Sequence, residues 1–188
     1  MKLETITARI DRLLREREKV IVAIDGNCTA GKTTLAGLLS KQYDCNVFHM
    51  DDFFLRAEQR TPERLSQSGG NVDYERFMDE VLTPLGGNTG FSYRPFDCGS
   101  FQLAQSVAVT PKRLNIIEGT YSMHPYFHNP YDLRIFLTIT PQLQRERILE
   151  RPAFLHQRFF REWIPMEQQY FSTFRIPDQC DIVLDPMS

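Results

Sequence analysis

The chain has 188 residues, long enough for one well-buried domain and short for two, and its 41% hydrophobic and 24% charged residues sit near the globular norm. A net charge of −2 leaves no excess of Lys and Arg to neutralise a phosphate backbone, which argues against a nucleic-acid partner. No apolar run approaches the length of a membrane span, and Met1-Lys2-Leu3-Glu4 lacks a signal peptide's apolar core. The four cysteines (Cys28, Cys45, Cys98, Cys180) are widely spaced without a C-x-x-C pair, so free thiols in a reducing compartment are expected and a soluble cytoplasmic protein is the default.

Residues 1–19 carry Leu3, Ile6, Ile10, Leu13 and Leu14 at helical spacing, which predicts an amphipathic helix with Arg15 to Lys19 as a solvated end. Val20-Ile21-Val22-Ala23-Ile24 is a continuous apolar run rich in β-branched residues, as a buried parallel strand should be. The stretch Gly26 to Thr33 fits G-x-x-x-x-G-K-[ST], the phosphate-cradling P-loop, and Thr34 to Leu39 continues as a helix with an apolar face.

That pattern has a mechanism. Gly26 and Gly31 let the backbone turn sharply, so that successive N–H groups point into one concavity. The concavity opens onto a helix N-terminus, whose unsatisfied donors and dipole favour phosphate. Lys32 then reaches the β- and γ-phosphates and the Thr33 hydroxyl ligates Mg²⁺. The nucleotide-binding residues expected are Gly26, Asn27, Cys28, Thr29, Ala30, Gly31, Lys32, Thr33 and Thr34, with ATP and Mg²⁺ as cofactors.

Val47 to Met50 reads as a second strand ending at Asp51-Asp52. The polar stretch 56–71, with Pro62, Gly69 and Gly70, reads as a mobile connection. A helix is predicted over 74–83, ended by Pro84, then a turn at Gly86-Gly87-Asn88. Phe91 to Cys98 and Val107 to Thr110 pair as a small hairpin outside the main sheet, within a substrate-side segment of about 86–112. Further strands are predicted at 114–119, 134–139 and 181–184. Helices are predicted from Pro141 to about Arg151, where Pro152 stops the run, and over 157–172. No repeat, low-complexity tract or interdomain linker is visible. The expected architecture is α/β: a single three-layer P-loop NTPase domain spanning 1–188. Its parallel five-stranded sheet has helices on both faces, with a hairpin and a short lid (about 145–161) appended.

In such sheets ligands sit beyond the strand C-terminal ends. Gly26, Asp51 and Glu118 each follow a predicted strand, so all three should line one crevice. Asp51 there accepts the proton of an attacking hydroxyl or helps hold Mg²⁺; the plain alternative is that Asp51-Asp52 caps the next segment. Glu118 closes an apolar strand, where a role in holding Mg²⁺ through water competes with a structural salt bridge. Arg147 and Arg151 share a face of one helix with Arg145 nearby, and Arg158 and Arg161 follow Pro152. As a group they suit a lid that stabilises charge on a transferring phosphoryl group. The four histidines show no metal-ligand spacing and read as structural or peripheral. Phe54 and Tyr93 neighbour polar residues near the expected crevice.

Gly26 to Thr33, Met50 to Phe54, Asn71-Val72-Asp73, Tyr93 to Asp97 and Ile117-Glu118-Gly119 occur in the order and at about the spacing seen in uridine kinases. The chain therefore resembles that group of P-loop nucleoside kinases, alongside phosphoribulokinase and bacterial pantothenate kinase. The resemblance covers most of Val20 to Leu184. It implies Asp51 as the carboxylate that activates a sugar 5′-hydroxyl, Phe54 as an aromatic beside the substrate, and Asp73 as a ribose-hydroxyl ligand. It further implies Tyr93, followed by Arg94, in a base-binding hairpin, Glu118 near Mg²⁺, and Arg147 and Arg151 in the lid. The chain departs from the pattern where Arg94-Pro95 replaces an acidic residue and an aromatic, in lacking the His that reads the pyrimidine, and in a lid interrupted by Pro152. Trp163-Ile164-Pro165-Met166 is similar to nicotinamide riboside kinases.

The expected function is phosphorylation of a small hydroxylated metabolite, a ribonucleoside at its 5′-hydroxyl first, with nicotinamide riboside, pantothenate or another sugar as the same-class alternative. A nucleotide-dependent switch or ATPase is the alternative from another class, although the guanine-reading N-K-x-D motif is absent. A non-catalytic binding module fits poorly with intact Lys32, Thr33, Asp51 and Glu118. The partner expected is a small molecule, with a homo-oligomer left open because relatives often assemble.

Overall fold

A computed structural model describes residues 2–185. In chain order the elements are α1 (Lys2–Glu16), β1 (Val20–Gly26), α2 (Lys32–Gln42), β2 (Cys45–His49), the single turn α3 (Pro62–Leu65) and a helix α4 over 74–85. The short strands β3 (Phe91–Tyr93), β4 (Phe96–Asp97), β5 (Gln102–Leu103) and β6 (Val107–Val109) follow, then β7 (Leu114–Glu118) and β8 (Leu133–Leu137). The chain closes with α5 (Pro141–Leu149), a helix α6 over 153–174 and β9 (Ile182–Leu184).

The sheet has five strands in the order β2-β7-β1-β8-β9, every pair parallel. Because side chains alternate across a strand, each strand feeds both faces. Val20, Val22 and Ile24 of β1, Leu114 and Ile116 of β7, and Leu133, Ile135 and Leu137 of β8 point to one face. There they meet Ile6, Ile10 and Leu13 of α1 and Ala36 and Leu39 of α2. Ala23, Ile117 and Phe136 point to the other, under α4 (Phe77, Val81), the β3–β6 hairpin (Tyr93, Val109) and α6 (Tyr170, Phe171). Helices thus cover both faces, as the apolar runs predict for strands buried on two sides. No helix among the described residues is long and apolar enough to cross a membrane.

Three local expectations are corrected. Helix α4 does not end at Pro84; it runs to Leu85 through a π-turn at Met78–Leu82. Helix α6 likewise begins at Ala153, with Pro152 at its N-cap, and passes Pro165 through a π-turn at Phe159–Trp163. A proline inside a helix lacks its N–H and collides with the carbonyl four residues back; widening the preceding turn relieves the collision, so each helix continues. In both cases the residue just before the proline bonds five back, Thr83 N–H to Met78 O and Ile164 N–H to Phe159 O.

The third correction concerns 56–71, which is pinned along its length. Arg64 donates two bonds of 2.6 Å to the Glu75 carboxylate and further bonds to Gly70 O (3.0 Å) and Val72 O (2.9 Å), while its guanidinium lies 3.8 Å from the Tyr74 ring centroid. Leu55, Gly69 and Gly70 are buried. The polar composition reflects a segment that faces water at Ala57, Glu58, Thr61 to Glu63, Ser66 and Gln67 and is fixed by side chain to backbone hydrogen bonds. The expected hairpin outside the main sheet is present as β3 against β6, with a second, smaller pair, β4 against β5, nested inside it.

Candidate active site

Strand β1 delivers the chain into the P-loop through Gly26, whose φ of +137° and close approach to β8 admit no side chain. A Cβ there would lie 2.2 Å from the Leu137 carbonyl oxygen. The loop is held from several sides. Asn27 N–H donates to Leu137 O (3.1 Å), Ala30 N–H to Asn27 O (3.1 Å), Thr120 Oγ1 to Gly26 O (2.9 Å) and Arg147 to Thr29 O (2.8 Å). Thr29 adopts φ +60°, a left-handed conformation rare for a β-branched residue, and Gly31 follows at φ +101°. The amides of Thr29, Gly31, Lys32, Thr33 and Thr34 take no protein acceptor among the described residues, so they form the donor set that a phosphate would meet at the N-terminus of α2. Lys32 Nζ bridges the Gly26 and Asn27 carbonyls, 2.8 Å from each.

The C-terminal ends of β1, β2 and β7 lie side by side, and their last residues converge. Glu118, buried, accepts Thr33 Oγ1 at 3.0 Å and meets His49 Nδ1 at 2.5 Å. The Glu118 hydrogen bond holds His49 above its ordinary pKa. Asp51 opens the 3₁₀ turn Met50–Phe53 directly after β2. Its carboxyl is reached by solvent from the cleft yet has protein on most sides. That crowding raises its pKa, while the Lys32 ammonium opposes the rise. Gly26, Asp51 and Glu118 therefore stand together at the C-terminal end of the sheet, the end where ligands of such sheets sit. Thr33, Glu118 and Asp51 are oxygen donors of the kind Mg²⁺ takes, one or two from protein with phosphates and water completing the shell. Among the described residues no group of three or more His, Cys, Asp or Glu forms a metal cage.

On the acceptor side the structure separates the expected residues. Phe54 is half-buried and pairs with Val72 in an isolated bridge beside Asp52. Asp73, 2% exposed, caps α4 through Arg76 N–H (3.2 Å), accepts Gln59 Nε2 (2.9 Å) and has Arg76 Nε at 3.5 Å. Tyr93 lies in the core, its ring 5.6 Å from Phe53 and 5.9 Å from Phe48, with its hydroxyl turned to Asp52. Arg94 is exposed and ties the hairpin together through Leu103 O and Ala104 O, each 3.1 Å away. On the lid side Arg147 bonds the loop backbone, whereas the Arg151, Arg158 and Arg161 side chains are exposed.

Several residues at the site carry no sequence signature. His49, expected to be peripheral, sits on Glu118. Asp25, fully buried, accepts Gly26 N–H, Tyr121 N–H, Met123 N–H and Tyr170 Oη, tying the loop's first residue to the chain after β7. Burial pushes Asp25 up to about 6. Gln144 of α5 and Glu167 of α6 meet behind the loop at Cys28, whose thiol burial raises to about 12. Asp25 and His49 each lie within two residues of a strand's C-terminal end, which is the one cue available from the chain; Gln144 and Glu167 offer none.

Neither a protein-family model nor a curated protein matches the sequence. Solved structures do match the fold. A possible uridine kinase from Bacillus stearothermophilus shares 20% identity at a TM-score of 0.68, over 96% of this chain and 100% of that one. A candidate fructose transport system kinase from Silicibacter sp. TM1040 shares 20% identity at a TM-score of 0.66, over 98% and 99%. Phosphoribulokinase from Rhodobacter spheroides shares 12% identity at a TM-score of 0.59, over 89% of this chain and 70% of that one. The chain has the fold of the P-loop kinases.

Proposed function

We propose that the chain is an ATP- and Mg²⁺-dependent phosphotransferase acting on a hydroxyl of a small metabolite. The observation that carries this reading is the convergence of the open P-loop amides, Lys32, Thr33, Asp51 and Glu118 at the end of one parallel sheet. The loop amides and Lys32 hold the β- and γ-phosphates. Asp51 accepts the proton of the attacking hydroxyl, and its raised pKa brings it nearer the working pH of a general base. Thr33 and Glu118, with Asp51 beside them, would hold Mg²⁺, which when bound neutralises charge on the phosphate oxygens. The exposed lid arginines Arg151 and Arg161 are placed to turn toward the transferring group, Arg158 could do so by leaving Glu162 and the Trp163 ring, and Arg147 steadies the loop. The four cysteines are free, which supports a reducing compartment such as the cytoplasm.

For the acceptor, the resemblance to uridine kinases supports a ribonucleoside 5′-hydroxyl, uridine or cytidine first, with Phe54 and Asp73 beside the sugar. One observation favours a second reading within the class, a non-pyrimidine acceptor such as nicotinamide riboside, pantothenate or a sugar: Tyr93 is packed in the core, and the exposed Arg94 is tied to the hairpin carbonyls Leu103 O and Ala104 O. ADP release from Mg-ATP against a panel of these acceptors and a blank tests both. Stimulation by one acceptor establishes the kinase and names its substrate. Equal release in every well, blank included, replaces the kinase by a nucleotide hydrolase.

A further inference from the structure

Behind the P-loop lies a buried carboxylate that phosphoryl transfer does not use. Glu167, 2% exposed, projects from α6 and accepts Cys28 N–H at 2.8 Å, Gln144 Nε2 at 3.0 Å and Asn27 Nδ2 at 3.4 Å. All three donors are neutral. A carboxylate removed from water with neutral partners is costly to keep, and burial accordingly raises its pKa. Nor does it help to attract a nucleotide, since a negative charge behind an anion-binding loop opposes one. Its effect must come from what it holds.

It holds one face of a rigid unit. The peptide joining Asn27 to Cys28 is planar, so fixing the direction of the Cys28 N–H fixes the Asn27 carbonyl on the opposite edge. That carbonyl accepts Lys32 Nζ at 2.8 Å and Ala30 N–H at 3.1 Å. Gln144 clamps the far side of Cys28 through its carbonyl (3.3 Å). Cys28 thus gives its N–H to Glu167, while the amides of Thr29 and of Gly31 to Thr34 are left for the phosphates. Arg158 and Arg161 stand on the same helix as Glu167, at and within its π-turn, so one element carries both lid arginines and the loop anchor.

We propose that Glu167 is a positioning residue for Lys32 and the P-loop, acting through the Asn27–Cys28 peptide plane; its effect on nucleotide binding rests on the kinase reading above. The role requires reach and an acceptor oxygen, not charge. The deciding pair is therefore E167Q, which keeps both reach and a carbonyl acceptor while its amide faces Asn27 and Gln144 side chains able to flip, and E167D, which keeps the charge and falls short by one methylene.

The experiment measures Mg-ADP affinity by calorimetry and amide exchange over residues 26–31 in the nucleotide-free protein, with the thermal midpoint as a check on folding. Loss of the hydrogen bond that holds the Cys28 N–H predicts Mg-ADP binding weakened about tenfold in E167D, with E167Q within about threefold of the parent. Exchange over 26–31 should quicken in E167D and not in E167Q. The reverse order, with E167D close to the parent and E167Q impaired, assigns Glu167 a charge role and overturns the proposal. So does parental behaviour in both variants. A parent protein that fails to bind Mg-ADP refutes the nucleotide-binding reading instead. The exchange measurement then still decides Glu167, because unchanged exchange in E167D removes the anchor and quickened exchange restored by Gln retains it.

Discussion

Replacing Asp25 by Asn should change how the protein's stability depends on pH, in a direction set by its burial. The Asp25 carboxylate is fully buried and accepts Gly26 N–H (2.7 Å), Tyr121 N–H (3.3 Å), Met123 N–H (3.1 Å) and Tyr170 Oη (2.8 Å). Burial raises its pKa from 3.8 to about 6, because four hydrogen bonds and the more distant Lys32 offset only part of the lost hydration. Between these two values the folded state holds the proton more tightly than the unfolded state. Stability contributed by this group is therefore present in full at low pH and is lost as pH rises through about 6. The gap corresponds to about 3 kcal/mol over the full titration, of which about 1.4 kcal/mol falls between roughly pH 5 and pH 8. Asparagine does not titrate, and its Nδ2 meets a backbone N–H that has lost its acceptor, a cost of about 1–3 kcal/mol that is constant with pH. Urea unfolding of both proteins across this range isolates the term, since every other group cancels in the difference. The parent should lose about 1.4 kcal/mol relative to D25N as pH rises from about 5 to 8. A difference that stays flat, or that grows in the parent's favour, would refute the assignment of Asp25 as a buried carboxylate ionised at a cost.

Three further outcomes follow from the geometry. Asp51→Asn should lower turnover by about 10²–10⁴-fold while leaving Mg-ADP affinity close to the parent, measured by ADP release and calorimetry; unchanged turnover removes Asp51 as the base. Gly26→Ala places a Cβ 2.2 Å from the Leu137 oxygen at φ +137°, so it should cost more than about 3 kcal/mol and collapse the thermal midpoint. A shift of only a degree or two contradicts the close approach of loop and β8. Arg64→Ala removes two bonds to Glu75 and two to backbone carbonyls, and should cost about 2–4 kcal/mol and open 56–71 to proteolysis. Parental resistance to protease would show that the segment is held by other contacts.

The parallel strands and the P-loop were legible along the chain because their causes are local. A β-branched apolar run buries itself on two faces whatever its neighbours, and the spacing of Gly26, Gly31, Lys32 and Thr33 prescribes the cradle by itself. From these the ends of β1, β2 and β7 followed, and with them the meeting of Gly26, Asp51 and Glu118. The tertiary structure decided what depends on partners distant in sequence. Pro84 looks like a helix stop, yet packing keeps that helix going and a widened turn absorbs the ring, as another does at Pro165 inside the predicted last helix. The polar stretch 56–71 looks mobile until Glu75 meets Arg64. His49 becomes part of the site only because β2 lies beside β7, and Glu167 only because α6 crosses behind the loop. Periodicity and spacing report the local terms of the free energy. A buried carboxylate facing a backbone N–H more than a hundred residues away has no local signature, because its stability is created by the fold that brings the two together.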